Sequence, residues 1–259
     1  MFRRARLKNA DDIARIREAC LIINSIFLKI HSLDLQGITS DEIDTFIESE
    51  ILKNRGRPAF KTVRGYGYAS CISINNEVVH GIPSKKKKFQ PGDLIKIDTG
   101  VALNGYFGDS CFTFTAGTLS EEAARLRSAA YDALQLALDA VKPGGRVGDI
   151  GSAVSALCAE RGYSPVTRFS GHGVGFALHE PPSVPNAGRR GTGARLEPGM
   201  VLAVEPMINQ GGADVVICDD GWTAVTADGT LSAQFEHTIA VTESGCETLT
   251  DFTGITGGL

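Results

Sequence analysis

The sequence predicts an α+β fold in which helices cover one face of an antiparallel sheet. Three observations carry that prediction. Two stretches with helical apolar spacing precede strand-like runs, the same order recurs further along the chain, and Asn104-Gly105 lies between two strand-like runs as an antiparallel hairpin signal. With 259 residues, 42% of them hydrophobic and 22% charged, the chain has a globular composition and enough length for a sizeable core.

From Ala10 to about His31, the residues Ile13, Ile16, Cys20, Ile23 and Phe27 recur at steps of three and four, which predicts an amphipathic helix. Within it, residues 21–30 are apolar but interrupted by Asn24, Ser25 and Lys29, so they predict a buried helix segment and not a membrane span. Thr39 and Glu42 stand three apart before Ile43, Phe46, Ile47 and Ile51, a capping-box pattern, and Gly56 is expected to close this second helix. Strands are expected over 71–75 and 94–101, with a turn-rich segment between them. Residues 121–141 predict a long helix broken by Lys142-Pro143-Gly144-Gly145, and 147–161 a shorter one; strands are expected again at 200–208, 215–218 and 235–242. Gly37 with Glu42-Ile43 matches Gly144 with Asp149-Ile150 in spacing, and Arg55-Gly56 matches Arg161-Gly162. These offsets suggest one plan used twice, in halves of about residues 10–116 and 118–245 within one domain spanning 1–259.

Several classes of function are excluded by composition. Cysteines at 20, 71, 111, 158, 218 and 246 lack the paired spacing of a disulfide framework or a structural zinc site, so free thiols are expected. The basic start Phe2-Arg3-Arg4-Ala5-Arg6-Leu7-Lys8 leads into Asp11 and Asp12 without the apolar core of a secretion signal, and a cytoplasmic location is expected. A net charge of −4 argues against a general DNA binder. Lys85, Lys86, Lys87 and Lys88 form one dense patch, expected as a solvated loop, with an acidic partner such as ribosomal RNA as the alternative.

The chemistry lies in acids brought to one side. Counting outward from an Asn104-Gly105 turn sets Ala102 opposite Phe107 and Asp98 opposite Cys111. Asp109 then shares a face with Asp98 as its diagonal neighbour, about 7 to 8 Å away at the backbone. Two such carboxylates repel unless a proton or a cation sits between them, although solvated acids on an exposed face are the plain alternative. Glu205 and Glu236 stand in the apolar runs 201–208 and 235–241, where a lone carboxylate is costly to bury; each marks a structural ion pair or a site. His172 sits among small residues in Gly171-His172-Gly173-Val174-Gly175, as a ligand or a packed structural imidazole. As a set, four carboxylates and one imidazole suit first-row divalent ions such as Mn, Fe or Co better than a thiolate-held zinc. Four negative charges balance two divalent cations, which would lie about 3.5 to 4 Å apart and lower the pKa of a shared water to roughly 7.

At these residues the sequence resembles the type I methionine aminopeptidases, the short bacterial form of the M24 family, over nearly its whole length. The segments that carry the resemblance are Cys71-Ile72-Ser73-Ile74-Asn75-Asn76-Glu77-Val78-Val79-His80-Gly81-Ile82-Pro83, Ser170-Gly171-His172-Gly173-Val174-Gly175, His179-Glu180-Pro181-Pro182, Glu205-Pro206-Met207-Ile208 and Phe235-Glu236-His237-Thr238. The resemblance implies a pita-bread fold, two pseudo-symmetric halves whose helices cover a curved antiparallel sheet, making a single catalytic domain. It implies hydrolysis of the initiator methionine from nascent peptides with a small second residue, through a hydroxide held by two divalent ions. Asp98, Asp109, His172, Glu205 and Glu236 would be the metal ligands, with Asp109 and Glu236 bridging. Glu205 would take a proton from water, His179 would face the scissile carbonyl, and His80 the amide of the second residue. Phe60, Tyr66, Cys71, Phe176 and Trp222 would wall the methionine pocket, and a monomer is implied. Two rivals stand beside this reading. One is an Xaa-Pro aminopeptidase or creatinase-like enzyme, expected to carry a further N-terminal domain; the other is a binding protein that kept the fold and lost its metals.

Overall fold

The first helix of the computed structural model, α1 (Ala10–His31), starts where the Asn9 side chain accepts the backbone N–H of Asp12 and the Asp12 carboxylate accepts that of Asn9. This capping box satisfies two donors that a helix leaves open, and the acids of the first turn oppose its dipole. The structure describes residues 5–255, so Phe2, Arg3 and Arg4 of the basic start lie outside it. Helix α2 (Ser40–Lys53) opens on the expected box of Thr39 and Glu42. Its end differs from expectation: Arg55, not Gly56, takes the left-handed conformation, at φ 61°. Gly56 is needed for space instead, because a Cβ there would lie 3.0 Å from Val101 Cγ1. Helices α3 (Glu121–Asp139) and α4 (Val147–Arg161) form the second pair, and α4 ends on Gly162 at φ 74°.

Helix α1 buries Ile16, Cys20, Ile23, Phe27 and Ile30 along one stripe. Ile22, Ile23, Ile26, Phe27 and Ile30 make 21–30 the expected buried helix segment, while Leu21 and Leu28 remain 56% and 45% exposed, since one face of a helix cannot hold every residue of a continuous run. Among the described residues no helix is long and apolar enough to cross a membrane. All six cysteines are free thiols.

Among the described residues the strands form four antiparallel sheets. In the first, Leu94–Leu103 pairs with Tyr106–Thr115, Ser70–Ile74 and Arg57–Pro58. A second runs in the order Cys246–Thr248, His237–Val241, Val201–Val204, Ser170–Gly173, Glu180–Pro185. The expected 200–208 strand breaks at Glu205-Pro206, where proline has no N–H for the ladder. Val201–Val204 therefore pairs with His237–Val241, while Met207–Asn209 joins Ser232–Gln234 in a separate sheet.

A seam between Tyr106–Thr115 and residues 236–238 joins the first two ladders. Glu236 N–H donates to the Cys111 carbonyl at 2.9 Å, and Ser110 Oγ donates to the Glu236 carbonyl at 2.7 Å. Thr238 Oγ1 accepts the Asp109 N–H at 3.1 Å and donates to the Asp109 carbonyl at 2.7 Å. Beneath it, Phe112 meets Phe235 edge-on with centroids 5.0 Å apart, inside a buried cluster that also holds Phe27, Leu134 and Ile150. The seam thereby sets Asp109 and Glu236 side by side.

Candidate active site

Asn104 and Gly105, at φ 51° and 85°, are the two loop residues of the hairpin, the mirror-image turn that matches strand twist. The register pairs Ala102 with Phe107, Asp98 with Cys111 and Gly100 with Asp109, as counted from the sequence, so Asp98 and Asp109 share a face. Glu205 stands at the proline break, Glu236 precedes the His237–Val241 strand, and His172 lies in Ser170–Gly173. All five side chains line one cavity of about 290 Å³.

Asp109, Glu205 and Glu236 are buried, and Asp98 and His172 half-buried. Among the described residues, Asp109, His172 and Glu236 offer ligand atoms that all lie within 4.8 Å of one another. His172 Nε2 is 3.7 Å from Asp109 Oδ2 and 3.6 Å from Glu205 Oε1. Its Nδ1 faces the Gly173 carbonyl at 3.0 Å and must carry the proton there, which leaves the Nε2 lone pair turned to the acids. Burial, and then His179, push this imidazole down to about 3, so it is neutral at physiological pH, the form that binds metal.

Burial pushes all four carboxyl groups up, and mutual repulsion adds to it: Asp109 and Glu205 act on Asp98, while Asp109, Glu205 and Asp98 act on Glu236. Asp98 Oδ1, Asp109 Oδ1 and Glu236 Oε1 are buried and accept no hydrogen bond. Buried polar atoms are nearly always partnered, and a cation among these three oxygens is the partner that also relieves the repulsion. The donor set, oxygens with one imidazole and no thiolate, fits a divalent ion of the first row. His237, next to Glu236, faces away: its Nδ1 is 2.7 Å from Thr250 Oγ1 and its ring stacks on Phe252 at 3.9 Å.

Close backbone approach keeps His172 in place. A Cβ on Gly171 would lie 2.3 Å from the Ala203 carbonyl oxygen. Gly171→Ala is therefore expected to push Ser170–Gly173 off Val201–Val204, to cost roughly 1–3 kcal/mol and to weaken divalent-ion binding, read by thermal unfolding and metal titration.

The cavity continues from the acids to an apolar wall. Cys71 pairs directly with Asp98, so the two point to the same side. Beyond Cys71 come Phe60, Tyr66 and Leu178, with Val63 and Trp222 packed against them. Tyr66 meets Trp222 edge-on at 5.0 Å. Burial raises both the Cys71 thiol and the Tyr66 phenol, so this wall carries no charge. Asp220 accepts the N–H groups of Trp222 and Thr223 at 2.8 Å, fixing the turn that presents the indole.

His80 and His179 both line the cavity. The His179 ring lies 4.4 Å from that of His172, and the His80 ring meets Phe169 edge-on at 5.2 Å. Burial lowers the half-buried His80 imidazole to about 4, so it is neutral at pH 7, and partial desolvation at the cavity rim also lowers that of the more exposed His179. His80 holds φ 58°, a conformation that costs a non-glycine residue about 1–3 kcal/mol and that the surrounding packing must enforce.

Phe176, expected as a pocket wall, is not among the residues that line the cavity. Its ring packs on Tyr106 at 5.8 Å beneath the Arg6 guanidinium at 4.2 Å. Gly175, at φ 140°, turns the loop, and Leu178 faces inward in its place. Val63, Phe169, Ser170, Leu178 and Met207 complete the lining and were not among the expected site residues. Leu178 and Met207 flank the motifs of His179 and Glu205, and that adjacency was the one available signal.

The profile of metallopeptidase family M24 matches residues 14–243, nearly the whole chain, and spans every residue of this cavity. The chain belongs to metallopeptidase family M24. Within M24, methionine aminopeptidase A of Synechocystis sp. is 42% identical over 239 residues, covering 92% of this chain and 94% of that one. A methionine aminopeptidase of Clostridium perfringens is 41% identical over 244 residues, 94% of this chain and 98% of its own. The crystal structure of a Thermotoga maritima methionine aminopeptidase superposes with a TM-score of 0.93 at 39% identity, over 96% of this chain and 100% of the other. M24 membership makes the architecture the pita-bread fold and the chemistry metal-dependent, in agreement with the unpartnered acid oxygens.

Proposed function

We propose that this chain hydrolyses the N-terminal methionine from nascent peptides with a small second residue. The observation that carries the reading is the junction of an uncharged apolar wall with the acid and imidazole cluster inside one cavity. The likeness to methionine aminopeptidases supports it.

Asp98, Asp109, His172, Glu205 and Glu236 would hold two divalent ions such as Mn, Fe or Co. When bound, such ions supply a Lewis acid and a water whose pKa is lowered to roughly 7. The rest falls to side chains. Phe60, Tyr66, Cys71, Leu178 and Trp222 take up the flexible thioether and keep water out. Gln234 Nε2 donates to Glu205 Oε2 at 3.1 Å, so Glu205 is held in one orientation to accept a proton from the attacking water. Neutral His179 donates a hydrogen bond to the carbonyl oxygen as negative charge grows there, and His80 orients the amide of the second residue. The setting would be the cytoplasm, with the chain acting as a monomer. Lys85, Lys86 and Lys88 are exposed and would be open to an acidic partner such as ribosomal RNA, whereas Lys87 is half-buried and tied to Glu77 and to the Ile72 carbonyl.

The test is release of free methionine from Met-Ala-Ser, compared with a peptide starting Ala-Pro, across several divalent ions. Metal-dependent release from the first peptide alone is expected; cleavage of the Ala-Pro start alone, or of neither with metal bound, would contradict the reading. His179→Ala is expected to lower kcat about 10²-fold, as loss of one oxyanion donor does, with metal content retained. Joint loss of metal and turnover would show that His179 serves the metal instead.

A further inference from the structure

One buried ion pair plays no part in the chemistry above. Lys8 Nζ lies 2.7 Å from Glu180 Oε2, with the two side chains 1% and 4% exposed. The pair spans 172 positions and ties the segment before α1 to the loop that carries His179. Desolvation roughly cancels the attraction in such a pair, so net stability is a weak reason for it, while its geometric effect is direct.

Glu180 uses its other oxygen, Oε1, to accept the N–H groups of Phe176 at 2.6 Å and Ala177 at 2.8 Å. One carboxylate thus closes the loop 176–180 on itself and receives the ammonium from outside. Lys8 is itself anchored, since its N–H donates to the Gly199 carbonyl at 2.7 Å. Its stem lies against Gly175, where a Cβ would stand 2.7 Å from Lys8 Cε, and its Nζ is 5.3 Å from the centre of the Phe176 ring. The position of Phe176 outside the cavity follows from this arrangement, with the ring under Arg6 and Lys8 as part of the clamp. Glu180 directly follows His179 and pairs across the ladder with Gly173, the neighbour of His172.

We propose that Lys8 is a positioning residue: through Glu180 it fixes the loop 175–179 and so aims the His179 imidazole into the cavity. The inference rests on the role given to His179 above. That loop makes no regular strand pairing of its own before Glu180; apart from the clamp it is held by the Phe107 N–H on the Gly175 carbonyl at 2.8 Å and by buried Leu178, on either side of which the chain is free to shift. A displacement of about 1 Å at such a group can cost on the order of 10²-fold in rate.

The experiment measures kcat and KM for Met-Ala-Ser with the metal-loaded full chain. Lys8→Met keeps the stem and removes the charge, Glu180→Gln keeps the shape, and Lys8→Arg keeps the charge. Each is made in the natural chain and in the His179→Ala background. Lys8→Met and Glu180→Gln are expected to lower kcat roughly 10- to 100-fold with little change in KM or metal content, and Lys8→Arg to restore most of the rate. In the His179→Ala background the same changes should cost less than about twofold, because coupled residues are non-additive. An equal loss in both backgrounds would assign a merely structural role and overturn the proposal, as would full activity of Lys8→Met. Failure of both Lys8→Met and Glu180→Gln to fold, read by circular dichroism, would make the pair a fold determinant and overturn it too. A natural chain that releases no methionine would instead overturn the functional reading, and this inference with it.

Discussion

Asp109→Ala is expected to remove metal-dependent methionine release and divalent-ion binding together. Asp109 stands at the seam between two ladders, is 3% exposed and holds a carboxylate oxygen with no hydrogen-bond partner. The backbone bonds to Thr238 use only its N–H and carbonyl, so removal of the carboxylate leaves the seam intact. Metal ions contribute several kcal/mol to such hydrolyses, and each 1.4 kcal/mol is tenfold, so a loss of about three orders of magnitude in kcat/KM is expected. Steady-state rates and bound-metal analysis on the same sample check it. Full activity in a folded Asp109→Ala protein would exclude the acid cluster as the reacting centre.

Glu236→Gln is expected to act in opposite directions on activity and on metal-free stability. The metal-free protein confines four carboxyl groups raised by burial, with Asp98, Glu205 and Glu236 raised further by neighbouring carboxylates, whereas unfolding returns each to water. Neutralising one should therefore raise the melting temperature in chelator while activity is lost. The pH dependence has a matching sign. Carboxyl groups whose folded pKa exceeds the unfolded value bind more protons in the native state, so stability falls as pH rises from about 4, the unfolded range, through the folded pKa, about 7 for Asp109. Metal-free protein should melt higher at pH 5 than at pH 7, and the difference should shrink in Glu236→Gln. Divalent ion at a hundred times its Kd should add about 2.7 kcal/mol to the natural protein, on the order of 5–10 °C for a chain of this size. Differential scanning calorimetry in chelator and in metal decides both points; a metal-free melting temperature that rises with pH across this interval would contradict the account.

The parts of the site legible in the sequence were those fixed by local rules. Asn104-Gly105 admits one tight turn, the turn sets the register, and strand alternation then places Asp98 beside Asp109. The capping box of α2 is equally local, because three residues suffice to satisfy the open helix donors, and the Asn9–Asp12 box of α1 follows the same rule but was not read. What escaped depends on loops and on distant partners. Phe176 and Leu178 are two residues apart in a loop without strand alternation, so apolar character alone could not say which faces the cavity. Arg55 takes the left-handed conformation after α2, while a Cβ on Gly56 would crowd Val101, and neither follows from helix spacing. The pairing of Lys8 with Glu180 joins segments with no shared periodicity, and only the fold brings them together.

Asp98, Asp109, His172, Glu205 and Glu236, which line one cavity, are expected to hold the divalent ions. Anomalous diffraction from crystals of the manganese-loaded protein tests it most directly. Two peaks about 3.5 to 4 Å apart, both within bonding distance of Asp109 and Glu236, are the predicted result. Manganese found away from these five side chains, with the cavity holding water alone, would contradict it.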